Sequence, residues 1–170
     1  MTTLERTEPS TTAAERAMLE GWLDYHRATL VTKCAGLSDE QLRTASVEPS
    51  TLTLMGLVRH LADVERWWFR QVMAGEDVDA LYYSDEDPDG DFRVGEETTW
   101  DGTLADWRAE VAAARTVAAG RGLDDLSEGK ISGNRTYNLR WIIAHMIEEY
   151  ARHNGHADLL RERIDGVTGE

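Results

Sequence analysis

The chain has 170 residues, with 32 acidic against 18 basic side chains and a formal net charge of −14. That length suits one core burying roughly two-thirds of the unfolded chain's surface and argues against a two-domain enzyme, while the acidity repels phosphate backbones and anionic lipid, which speaks against nucleic-acid and membrane partners. A lone cysteine, Cys34, has no partner for an internal disulfide, and the sequence has neither a signal-like start nor an apolar run approaching ~20 residues, so a reducing cytoplasm is the expected setting.

Residues 1–12 read as a flexible tail on a single domain spanning 1–170. The prolines, Pro9, Pro49 and Pro88, all fall in connections, which leaves long stretches free of helix breakers. Met18, Trp22, Tyr25, Thr29 and Cys34 recur among charged neighbours and predict a first helix over 12–35. Ser38 is placed to cap a single turn, and Leu54, Leu57, Val58, Leu61, Glu65, Trp68 and Val72 predict a second helix over 54–73. Residues 76–101 break the pattern with eleven acids, one base and no sustained period, the mark of a long acidic loop. Thr103 is read as the cap of a third, alanine-rich helix that stops at Gly120 and Gly122, and residues 139–164 form the longest helical stretch. The implied fold is all-α, an antiparallel four-helix bundle with the acidic loop joining helices two and three.

On the last helix, Ile142, Glu149, His153, His156 and Leu160 share a sector of roughly 60°, so a carboxylate and imidazoles are aimed where apolar residues enter the core. A bare carboxylate is costly there without a cation, a hydrogen-bond network or water. Glu149 and His153 are one turn apart, and His60 on helix two is the candidate third member of a metal site with an open position. By spacing alone, a hydrogen-bonded core histidine and an ordinary intrahelical Glu149–His153 pair are the stronger reading of the pattern. His145 reads as a core or interface histidine and His26 as structural. Asp85, Asp87, Asp89, Gly90, Asp91 and Glu96 formally fit a calcium loop, but Pro88 and the lack of flanking helices favour a solvated acidic segment. Cys34 has no context that would activate it as a nucleophile.

The runs Leu57-Val58-Arg59-His60-Leu61, Glu65-Arg66-Trp67-Trp68 and Glu149-Tyr150-Ala151-Arg152-His153-Asn154-Gly155-His156 resemble the DinB/YfiT-like superfamily, and within it the branch designated DUF664. The resemblance spans essentially the whole chain. It implies a bundle that is commonly homodimeric, with a mononuclear divalent metal, zinc first and nickel or iron as alternatives. Carried over by position, the ligands are His60, Glu149 and His153. Many relatives have histidine where Glu149 stands; a glutamate there resembles the metal site of mycothiol-dependent maleylpyruvate isomerase. His156 then becomes an outer partner of a ligand or a substrate contact.

The leading expectation is a metal-dependent transferase or isomerase acting on a small-molecule substrate through mycothiol or another low-molecular-weight thiol, which the ion activates as a thiolate. A metal-bound water would make the same site hydrolytic. The competing readings are a non-catalytic, metal- or ligand-binding dimeric bundle and non-haem iron chemistry on the two-histidine, one-carboxylate set.

Overall fold

The computed structural model describes residues 6–129, 131 and 134–168. Among these the chain is helical, with two isolated β-bridges and no strand. Helix α1 spans Glu15–Cys34, α2 Asp39–Leu42, α3 Leu54–Glu65, α4 Trp100–Ala119 and α5 Leu139–Asp165; α3 continues directly into a π-helical segment, Arg66–Met73. No described helix is long and apolar enough to cross a membrane.

Local chemistry sets most of the boundaries. Ser38 and Gln41 form a reciprocal capping box at the start of α2, and Asn138 accepts the Trp141 N–H at the start of α5. Gly166, at φ 76°, ends α5 in the left-handed region that glycine enters without steric cost. Helix α4, the third long helix of the sequence, begins one turn earlier than its sequence predicts: the cap is Thr99, which accepts from Gly102 N, and Thr103 is buried inside the helix. Gly102 conceals this start in the sequence, whereas burial of Trp100 secures it. Residues before α1 lie along it, with Pro9 against Gly21 and the Arg6 guanidinium over the Tyr25 ring.

The core is one apolar cluster fed by every long helix, with Leu30, Leu57, Leu61, Ile142 and Met146 fully buried. α1 packs chiefly on α5 and α3 on α4, with α3 also touching α5. The pairings give the directions. Arg140 at the start of α5 bonds Glu15 at the start of α1, and Arg161 near the end of α5 bonds the carbonyls of Lys33 and Ala35, so α1 and α5 run the same way. Across the bundle, His60 of α3 meets His153 while the later Trp68 meets the earlier His145, so α3 opposes α5. Glu128, shortly after the end of α4 and tied to Arg121, donates its N–H to Met73 O at the end of the π segment, so α3 and α4 end together.

Two helices therefore run each way, and the chain after Met73 must travel back down the bundle before α4 can begin. The long connection does this as a strap on α3: Val78 O accepts from Gln71, Asp79 O from Arg66, Leu81 N and Tyr82 N donate to Asp63, and the Gly90 and Asp91 carbonyls accept from Arg59.

Inside the bundle, Arg27 of α1 donates from Nε and Nη2 to the two oxygens of Glu65, each at 2.7 Å. Tyr150 of α5 donates to Glu65 at 2.8 Å and Trp107 of α4 donates to the Tyr150 hydroxyl at 2.8 Å. This fully bonded network ties four helices at one level, since buried charge is tolerated only when paired and hydrogen-bonded.

Candidate metal centre

His60 lies in the second turn of α3; Glu149 and His153 lie one turn apart on α5. The antiparallel register brings them together: one ligand atom from each lies within 4.8 Å of the other two. His153 is 8% exposed, and its Nε2 stands 3.6 Å from Glu149 Oε2. The His60 and His153 rings meet edge to face, with centroids 4.8 Å apart.

Both imidazoles are held by Nδ1. His60 Nδ1 is 2.7 Å from Asp91 Oδ2, and His153 Nδ1 is 3.3 Å from His156 Nδ1. In the His153 ring this leaves Nε2 facing Glu149. Burial, reinforced by the neighbouring His60, His156 and Arg152, pushes the His153 imidazole down to about 4, with Asp91 opposing, so near neutral pH the ring carries a free lone pair. The His153 and His60 imidazoles with the Glu149 carboxylate make a donor set of the kind that could hold a divalent ion.

The other sequence candidates fall around this centre. His156 reaches His153, an outer position. His145 stacks on Trp141, meets Trp68 edge to face and places Nε2 3.6 Å from Glu149 Oε1, forming with Glu148 and Glu149 a second, more exposed cluster. His26 lies by Asn154, which donates to its carbonyl. Cys34 is buried and far along α1.

Sequence reasoning misses Asp91 because it groups that residue with the formal calcium loop. The structure sends those carboxylates to separate partners: Asp91 to His60 and Asp87 to Arg93. Among the described residues no three loop carboxylates gather as ligands. The signal for Asp91 is on α3, where Arg59, His60 and Asp63 place three polar groups on or beside the buried face, each needing a partner.

A cavity of about 270 Å³ opens beside the centre. His60, Trp67 and Trp68 line it from α3 and its π extension, and Tyr83, Pro88 and Asp91 from the strap. The sequence predicts an unbroken α-helix here; the observed π winding keeps Phe69, Val72 and Met73 buried while Trp67 and Trp68 border the cavity. Larger clefts of about 740 and 810 Å³ along α1 include none of the three converging residues.

A family model described as mycothiol-S-transferase matches residues 18–166, a span that takes in the whole centre and the strap. No curated protein matches the chain.

Proposed function

The chain belongs to the mycothiol-S-transferase family, and from that premise we propose that it is a metal-dependent transferase that joins a low-molecular-weight thiol, mycothiol first, to a small electrophile. The observation that carries this reading is the convergence of His60, Glu149 and His153 within 4.8 Å, with both imidazoles anchored at Nδ1. A bound zinc-like ion would supply Lewis acidity that lowers the pKa of a thiol and stabilises the thiolate as nucleophile.

The chain's own residues do the rest. His60 and His153 offer neutral nitrogen donors, and Glu149 offers one negative charge, so the occupied site keeps a net charge near +1 for an incoming thiolate. Trp67, Trp68 and Tyr83 give the adjoining cavity apolar walls that hold a flat or apolar electrophile and exclude water from it. The buried Cys34 supplies no nucleophile, since desolvation pushes its thiol up to about 12.

The test is elemental analysis of untagged protein purified without chelator, set beside His153→Ala. One equivalent of zinc in the wild type, lost in the variant, is the expected result. A folded wild type that binds no divalent metal, even after zinc is offered, sinks the proposal. In cobalt-substituted protein, a change in the visible spectrum on adding thiol would show an open position, and an unchanged spectrum would favour the non-catalytic bundle.

A further inference from the structure

The strap's bonds to α3 are in register, and they converge on one residue. Reading down the helix, Gln71 donates to Val78 O at 2.7 Å and Arg66 to Asp79 O at 2.6 Å, while Asp63 accepts the N–H groups of Leu81 at 2.6 Å and Tyr82 at 3.1 Å. Arg59, the residue before His60, donates to the carbonyls of Asp91 at 3.1 Å and Gly90 at 3.3 Å and lies over the Tyr82 ring. Two glycines permit the fit. A Cβ on Gly90 would stand 2.4 Å from Tyr82 O, and one on Gly56 would stand 2.9 Å from Phe92 O. The backbone is thus pinned on both sides of Asp91, whose side chain is 7% exposed.

The two Asp91 oxygens have separate partners. Oδ1 accepts the N–H of Phe92 at 2.9 Å, and Oδ2 meets His60 Nδ1 at 2.7 Å. A carboxylate can only accept, so a ring proton sits on Nδ1, and in the neutral ring the lone pair is then on Nε2. The next residue holds the ring plane: Phe92 stacks on His60 with centroids 4.5 Å apart and planes 21° apart.

We propose that Asp91 is a positioning residue that sets the tautomer and orientation of His60, so that Nε2 faces Glu149 and His153. Its purpose rests on the metal reading above; its effect on the ring does not. The acidic connection thereby becomes the outer support of the centre, and its 31-residue separation from His60 explains why no local motif announces it. A carboxylate behind a ligating histidine fixes the ring and raises its donor strength.

The experiment compares full-length wild type, Asp91→Ala and Asp91→Asn. Long-range proton–nitrogen NMR correlations on metal-free, mildly alkaline samples read which nitrogen of His60 carries the proton, and competition with a chromophoric chelator reads zinc affinity. The wild type is expected to show the Nδ1–H form alone. Asp91→Ala should lose that preference and bind zinc about 10- to 100-fold more weakly. Asp91→Asn, whose amide oxygen still accepts, should keep the tautomer and lose less affinity. A wild-type ring protonated at Nε2 overturns the proposal, as does an Asp91→Ala protein unchanged in both readouts. Should Asp91→Ala fail to fold, the wild-type tautomer and the Asp91→Asn affinity decide, an Asn variant that binds zinc as tightly as wild type counting against Asp91. A wild type that takes up no zinc yet shows the Asp91-dependent tautomer sinks the metal reading and leaves the positioning of the ring standing.

Discussion

Burial acts in opposite directions on His153 and Cys34. In His153 it lowers the pKa, removing a proton and making the imidazole a better ligand near neutral pH; in Cys34 it raises the pKa, retaining a proton and making the thiol inert. The second effect bears on mechanism, because a transferase with no accessible thiolate of its own must take its sulfur nucleophile from a ligand. Iodoacetamide should therefore leave Cys34 unmodified in the folded protein at neutral pH and modify it fully in denaturant, as read by intact-mass spectrometry. Rapid alkylation of the native protein would contradict the buried, protonated thiol. Cys34→Ala should retain thiol-transfer activity.

Among the elements, register matters more than helix identity. The Glu65–Tyr150 bond fixes the level at which α3 crosses α5, and His60 and His153 lie on the same two helices close to that crossing. Glu65 is fully buried and its two oxygens are taken by Arg27. Glu65→Ala leaves that buried guanidinium with only the half-exposed Asp24 as an ionic partner and should cost about 3–5 kcal/mol in denaturant unfolding. Tyr150→Phe keeps the ion pair and should cost nearer 1 kcal/mol. Equal losses in the two variants would show that the ion pair matters no more to stability than the tyrosine hydroxyl. The helices themselves are legible in the sequence, because α1, α3 with its extension, and α5 follow apolar spacing. His60, Glu149 and His153 are legible as an inward-facing polar set on two such helices. The π winding, the Thr99 cap and Asp91 are not: each depends on what packs against it, and no sequence period encodes a contact between residue 60 and residue 91.

For the whole molecule, the charge is mostly that of one connection. Residues 76–101 carry eleven acids and one base, which is most of the chain's −14. Several of these carboxylates have structural partners, Glu76 with Arg70, Asp87 with Arg93 and Asp91 with His60, so the segment is a fitted strap rather than the solvated loop its composition suggests. The strap is required because α3 and α4 run the same way. The same topology makes the first and last long helices neighbours, through bonds such as Arg140–Glu15 across 125 residues and Arg161–Lys33 across 128. A helical bundle ordinarily folds quickly because its contacts are local; here nearly the whole chain must be gathered before α1 meets α5, and the loop-closure entropy slows the search. If that pairing forms after the rate-limiting step, Arg161→Ala should speed unfolding and leave refolding almost unchanged in stopped-flow measurements, whereas slowed refolding at constant unfolding rate would place α1–α5 docking in the nucleus.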